Sequence, residues 1–250
     1  MAKAPPIQSY KLLRRFDQSH DVFELTFDRP QEVTFKAGQF ISIIIPGAGP
    51  NGRDLRRAYS IASSPDKQSV FELSIKLVPG GPGTTYLNSL KVGQEIRGQF
   101  PMGDFVVNHP PEAPTFFIGT GTGVAPHRSM ILSSAHDWTK APVGFLLGVR
   151  AEEDIIYPEL FGDDRPAVLR SQKHVKICLS RPKDPAAWGR NQHGFQGRVT
   201  DYLRSLNDWQ WQASHYYLCG SGAMIQEVQD WLMNEKAVDK THIHKEAYFK

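Results

Sequence analysis

The sequence predicts a two-domain chain. The N-terminal part reads as a six-stranded antiparallel β-barrel, and the C-terminal part as an α/β domain with a five-stranded parallel sheet and helices on both faces. Three observations carry this. Apolar and polar residues alternate with a period of two through the first hundred residues. A proline-dense stretch, "NHPPEAP" at 108–114, then interrupts the pattern. Beyond it, strand-like and helix-like segments take turns, which is the signature of parallel strands joined by right-handed crossovers.

In chain order, the barrel strands are expected at 7–15, in "VFELTF", at 39–45, at 56–62, in "VFELSIKL" and at 94–100. "VFELTF" sets Phe23, Leu25 and Phe27 against Glu24 and Thr26, and "VFELSIKL" sets Phe71, Leu73, Ile75 and Leu77 against Glu72, Ser74 and Lys76. Such alternation marks half-buried antiparallel strands. "PGAGPNG" and "VPGGPG" read as turns, and one short helix is expected near 84–90. Prolines at 110, 111 and 114 suit neither a central strand nor a helix, so the domains are divided as 1–109 and 110–250. The five parallel strands are expected in "TFFIGT", "VGFLLGV", "VKICLS", "YYLCG" and "THIHKEAYF". Val199, Tyr202, Leu203 and Leu206 share one helical face, as do Met224, Val228, Trp231 and Leu232.

Composition excludes several classes. With 40% hydrophobic and 22% charged residues the 250-residue chain is ordinary for a soluble globular protein. Its longest apolar runs are too short to span a bilayer, and "MAKAPPIQSY" lacks the apolar core of an export signal. No dense basic stripe interleaved with aromatics supports nucleic-acid binding, and the net charge is only +3. Two cysteines, Cys178 and Cys219, build neither a disulfide scaffold nor an iron–sulfur site, which needs four ligands. A reducing cytoplasm is the simplest setting, and no metal site is expected.

"FFIGTGTGVAP" at 116–126 is the first candidate for chemistry. It leaves a predicted strand, but its glycines miss the Gly-x-Gly-x-x-Gly spacing, because the third falls on Val124 or Pro126. Glycines let backbone approach a ligand, Pro126 suits the first turn of a helix, and exposed amides there favour an anion such as a pyrophosphate. By itself the pattern fits a plain tight turn equally well.

Four further motifs accompany it: "RRAYS" (56–60), "VPGGPGTTYL", "YYLCGSG" and the ending "EAYFK". In this order and spacing, with "FKAGQF", "IRGQFPMGDF" and "GFQGRVTDYL" in support, nearly the whole chain resembles the ferredoxin–NADP reductase superfamily, and in particular its bacterial ferredoxin or flavodoxin reductases.

The resemblance implies FAD and NADP(H) as cofactors. Arg57 would meet the FAD phosphates through its fork of donors, Ala58 and Tyr59 would line the flavin, and Ser60 would sit near its reactive nitrogen. Lys76 joins the flavin-domain set, while Gly83, Thr84 and Thr85 would open a helix onto the pyrophosphate. Thr120, Gly121, Thr122, Gly123 and Pro126 would form the nicotinamide-nucleotide loop. Cys219 and Gly220 would end a strand beside the nicotinamide, whereas Cys178 is assigned to the core. Tyr248 would stack on the flavin, Glu246 would balance charge near Ser60 and Cys219, and Phe249 would reach toward the adenine. Ser60, Cys219, Glu246 and Tyr248 are thus the implied catalytic set.

Preference for NADP needs cations at the ribose 2′-phosphate. "LSRPKD" supplies Ser180 and Arg181, which match the pair of the NADP-dependent branch; Lys183, Arg190 and Arg198 stand nearby in sequence. Arg150 is common to both branches, and the adenine-stacking aromatic is not clearly matched, although Phe195 is on offer. The implied activity is hydride exchange between NADPH and FAD, followed by single-electron transfer to an acidic carrier protein, ferredoxin or flavodoxin, by a monomer. The alternatives are an NADH-dependent reductase for an oxygenase, haem protein or free flavin, and a non-catalytic electron-transfer subunit.

Overall fold

The computed structural model describes residues 5–248. They fall into two compact units, one holding residues up to 107 together with 128–133, the other 108–127 together with 134 onward.

The first unit is a six-stranded antiparallel sheet of β1 (Ile7–Asp17), β2 (Val22–Asp28), β3 (Phe40–Ile45), β4 (Leu55–Ser60), β5 (Val70–Lys76) and β6 (Glu95–Met102), with the short helix α1 (Pro82–Ser89). The spatial order is β4-β3-β6-β1-β2-β5. An isolated antiparallel bridge between Ile61 and Leu73, with the Ala62 amide donating to the Glu72 carbonyl at 2.8 Å, ties the two ends together into a barrel. Every residue predicted inward on β2 and β5 up to Ile75 is buried: Phe23, Leu25, Phe27, Phe71, Leu73 and Ile75. Tyr10 and Phe100 pack edge-on and tilted against Phe71 in the same core. Each such side chain contributes about 1.5–3 kcal/mol by leaving water.

β1 runs past its predicted end. The pairing register slips between Leu12 and Arg14, so Leu13 forms a bulge. The extra residue reverses which side chains face inward. Arg15 consequently lies over the Phe23 ring at 4.5 Å, and Phe16 is 52% exposed. Residues 128–133 join this unit through Arg128, which donates to the Ala62 carbonyl and Glu72 carboxylate at 2.9 Å, and through the Ser129 hydroxyl, which donates to the Ser63 carbonyl at 2.6 Å.

The second unit contains β7 (Thr115–Thr120), α2 (Val124–Ile131), whose later residues pack with the first unit, β8 (Val143–Val149), α3 (Ala167–Arg170), β9 (His174–Leu179), α4 (Pro185–Arg190), β10 (Gly194–Gln196), α5 (Val199–Arg204), β11 (His215–Gly220), α6 (Gly222–Glu235) and β12 (Ile243–Ala247). All its strand pairs are parallel, in the order β10-β9-β8-β7-β11-β12. The sheet therefore has six strands where the sequence predicts five. The extra one, β10, is three residues long, too short to show a period, and exists only by pairing with β9. One face of the sheet packs Phe116, Ile118, Leu146 and Leu218 against Val199, Leu203, Val228 and Leu232 of α5 and α6. On the other face Phe145 stacks on Phe161 and Phe117 contacts His127.

Candidate cofactor sites

In the first unit, β4 lies at one end of the strand order and pairs only with β3 along its length. Arg57 and Ala58 are exposed, Tyr59 is half-buried and Ser60 is buried. Tyr59 is accordingly not sealed in the core. Burial pushes its phenol up to about 12, partly offset by the nearby Arg57 charge. The N-terminus of α1 abuts this strand. A Cβ on Gly83 would meet the Tyr59 hydroxyl at 2.6 Å and Arg57 Cγ at 3.1 Å, so glycine is what allows the helix to sit on the motif.

A helix leaves its first amides without intrahelical acceptors. Pro82 has no amide and that of Thr85 reaches the Gly81 carbonyl at 3.0 Å, which leaves Gly83 and Thr84 to present theirs. The Thr84 hydroxyl is used within the chain: it accepts from the Val78 amide at 3.1 Å and lies 3.2 Å from the Gly81 carbonyl. Its side chain thus shapes the turn, while Thr85 is exposed. Arg57 donates to the Arg56 carbonyl at 2.9 Å and has no carboxylate partner among the described residues. Lys76 is instead paired with Asp21 at 2.7 Å. An exposed guanidinium beside two helix-terminal amides fits a phosphate-bearing flavin nucleotide.

In the second unit the strand order reverses at β7: the chain proceeds through β8, β9 and β10 on one side, then returns to β11 and β12 on the other. Open parallel sheets bind ligands outside the carboxyl ends of their strands at such a switch. The register brings the candidates there. Cys219 lies level with Gly119 and Glu246, and Gly220 with Ala247. The Tyr248 amide donates to the Gly220 carbonyl at 2.9 Å.

The glycine loop is a short 3-10 turn, Gly121–Gly123, leading into α2, which holds Pro126. A Cβ on residue 123 would lie 2.3 Å from the Cys219 carbonyl oxygen, whereas Gly121, at φ +52°, has open space around it. The alternating glycines therefore do two things: Gly123 lets the loop pack on β11, and Gly121 leaves backbone exposed. The Thr120 hydroxyl is occupied as well, accepting from the Ser221 amide at 2.9 Å. Ser221 precedes α6 and joins the two loops. It is a residue the sequence reading passed over, although a serine between glycines just ahead of an apolar-periodic helix is a start signal.

Cys219 is fully buried, as is Cys178. Burial and the Glu246 carboxylate opposite raise the Cys219 thiol, and hydrogen bonding to Tyr248 works against them. Arg150 and Arg181 emerge side by side, for the Arg181 amide donates to the Arg150 carbonyl at 2.7 Å. Arg150 pairs with Asp154 at 3.2 Å and Lys183 with Glu153 at 3.1 Å. Ser180, Arg181 and Arg190 are exposed, and neither of these two arginines has a carboxylate partner among the described residues. Phe195 is half-buried and meets the Tyr202 ring edge-on at 5.1 Å, so it belongs to the packing under β10. Phe249 lies outside the described residues.

A barrel with an exposed arginine beside a helix terminus, and a parallel sheet with a glycine loop at its switch, fit a class of oxidoreductases that use a flavin and a nicotinamide nucleotide. Residues 9–107 match the oxidoreductase FAD-binding domain model and residues 117–230 the oxidoreductase NAD-binding domain model. The chain is 33% identical to ferredoxin–NADP reductase B of Sorangium cellulosum over 251 residues, covering 99% of this chain and all of that one. It belongs to the ferredoxin–NADP reductase family and is an electron-transfer flavoenzyme. It is also 28% identical to the reductase component of phenol 2-monooxygenase from Pseudomonas sp. strain CF600, over 86% of this chain but only 58% of that protein's length. Among solved structures, a Neisseria gonorrhoeae ferredoxin NADP+ reductase with bound FAD and NADP matches with a TM-score of 0.78 at 19% identity, over 97% of this chain and 99% of the other. Among the described residues no helix is long and apolar enough to cross a membrane.

Proposed function

We propose that the protein oxidises NADPH through FAD and passes single electrons to a separate acidic carrier such as ferredoxin or flavodoxin. The observation that carries the nucleotide preference is Arg181. It is exposed, unpaired with any carboxylate among the described residues, and leaves β9 beside Arg150. A guanidinium is suited to gripping a phosphate through two parallel donors, and a 2′-phosphate is what distinguishes NADP from NAD. The full-length similarity to a ferredoxin–NADP reductase supports the same reading.

Arg57 and the amides of Gly83 and Thr84 would hold the FAD pyrophosphate, with Tyr59 against the ring system and Ser60 near its reactive edge. Bound FAD supplies the conversion between two-electron and one-electron chemistry. The protein contributes position and charge. Gly121, Thr122 and Gly123 would receive the nicotinamide nucleotide, and Cys219, Glu246 and Tyr248 would orient its reactive end, Tyr248 giving way as it enters. Holding reacting atoms in contact supplies about 7–11 kcal/mol of barrier lowering in favourable model reactions.

The second reading, an NADH-dependent component of an oxygenase system, draws on the similarity to reductase components of phenol 2-monooxygenase and naphthalene 1,2-dioxygenase systems. Anaerobic titration of the purified yellow protein with each nicotinamide decides between them. Preferential bleaching by NADPH is expected; equal or faster bleaching by NADH overturns the preference, and a colourless protein that gains no flavin overturns the whole reading.

A further inference from the structure

Five of the nine histidines, distant in sequence, gather at the amino-terminal edge of the parallel sheet, the end opposite the glycine loop. His109 comes from the proline-rich stretch ahead of β7, His136 from the segment after α2, His215 opens β11, and His242 and His244 flank the start of β12. Their rings form a stack. His109 lies on His215 at 4.2 Å and 17°, and His215 on His242 at 4.4 Å and 30°. His136 contacts His109 at 5.2 Å, and His244 is sandwiched against Tyr217 at 4.5 Å. His215 Nδ1 and His244 Nε2 face each other at 3.1 Å, so one of the two rings must donate and the other accept.

This geometry is built for neutral imidazoles. No set of three of these rings brings its nitrogens together within metal-coordinating reach among the described residues, so the stack is not a ready metal centre. We propose that it is an acid-sensitive clasp, holding the stretch 108–114 against the sheet edge while its rings are neutral and releasing it when they take up protons.

His109 is the hook. It is only 8% exposed. The Pro110 carbonyl, 2.9 Å from Nδ1, can only accept, which places a ring proton on Nδ1, while Nε2 lies 3.3 Å from the Thr115 hydroxyl, whose one proton also has the Ala113 carbonyl within reach at 3.2 Å. The stretch is further secured by the His215 amide donating to the Pro114 carbonyl at 2.9 Å, so the ring and the backbone of His215 serve the same attachment. The carboxylates nearby are at the ends of the stack. Glu112 and Asp137 act on His136, and Asp239 faces His242. Lys140 stands 4.0 Å from Glu112. The charged groups acting on the central His215 are the imidazoles of His109, His242 and His244 themselves. A proton placed there has only potential positive charges for neighbours.

Burial, followed by these neighbours, pushes His215 and His244 down to about 4 and lowers His109 and His136 as well. Groups that stay neutral in the clasped form but titrate near 6.5 when released favour release as pH falls below 6.5, down to about 4. The equilibrium shifts by at most about tenfold per pH unit for each histidine.

The test is hydrogen–deuterium exchange of the flavin-loaded full-length protein from pH 7 to pH 4.5, corrected for intrinsic rates, with 15N titration of the imidazoles alongside. Protection of residues 108–114 is expected to fall at least tenfold while the strands of the barrel hold theirs. In His215→Phe, which keeps a stacking ring without the proton site, the acid-induced loss is expected to shrink severalfold. Unchanged protection of 108–114 down to pH 4.5 overturns the proposal, as do independent titrations of His109, His136, His215 and His244 near 6.5. Should His215→Phe fail to fold, the wild-type titration alone still decides.

Discussion

The Cβ position of Gly123 points straight at the Cys219 carbonyl oxygen, 2.3 Å away. The loop that leaves β7 and the strand end of β11 therefore touch backbone to backbone, and any side chain at position 123 must force them apart. Gly123→Ala is expected to cost about 1–3 kcal/mol, the usual range for overpacking, and to weaken nicotinamide binding while the flavin is retained. Denaturant unfolding and nucleotide titration of the same preparation measure both.

Arg57 carries the proposal for the flavin site. Arg57 meets no carboxylate among the described residues, so its removal strands no buried charge. Arg57→Ala is expected to weaken FAD binding by about 1.5–3 kcal/mol, the worth of a hydrogen bond to a charged group. Release of fluorescent flavin on dilution reports it. Unchanged retention removes Arg57 from the site.

Arg181→Ala is expected to raise the KM for NADPH ten- to a hundredfold and to leave that for NADH within about twofold, since each 1.4 kcal/mol of lost phosphate contact is a factor of ten. An unaltered preference disproves the assignment of the 2′-phosphate to this residue.

Glu72 predicts an acid limb in the stability of the first unit. Burial alone would raise its carboxyl, but Lys67 and Arg128 outweigh burial and hold it below the usual range. A carboxyl depressed in the folded form stabilises fully above its unfolded value near 4.5, and that contribution is lost as pH falls through the lower folded value. Glu72→Gln is expected to flatten this limb and to lower stability at neutral pH, because it removes the negative charge that Lys67 and Arg128 face. Unfolding free energy against pH for both proteins is the check.

Both cysteines are buried. Neither is expected to react with a thiol reagent in the native protein, and Tyr248→Ala, which removes a hydrogen bond that holds the Cys219 thiol down, is expected to raise that thiol further and leave it as slow to modify as Cys178. Peptide mapping after alkylation distinguishes Cys219 from Cys178.

Much of this was legible in the chain itself. The period-two runs located β2 and β5 to within a residue, and Phe71, Leu73 and Ile75 could be placed inward without a structure. The motif around Arg57 and Tyr59 and the loop after β7 were visible as patterns, because both depend on residues adjacent in sequence. What escaped were features made by partners far apart. β10 has no period of its own and exists through three register pairs with β9. The bulge at Leu13 is a property of pairing, not of composition. The histidine stack draws on five positions that no window of sequence contains.

Residue order alone determined which segments alternate with which period, and hence the barrel, the parallel sheet and the loops that carry chemistry, because backbone periodicity and turn formation are local. Only the tertiary structure decided that Gly123 serves packing on β11, that Thr84 and Thr120 spend their hydroxyls on the chain, and that Arg181 meets no carboxylate among the described residues while Lys183 does. Those outcomes turn on distances of a few ångströms between groups brought together by folding, where close contact and charge pairing depend on separation in space.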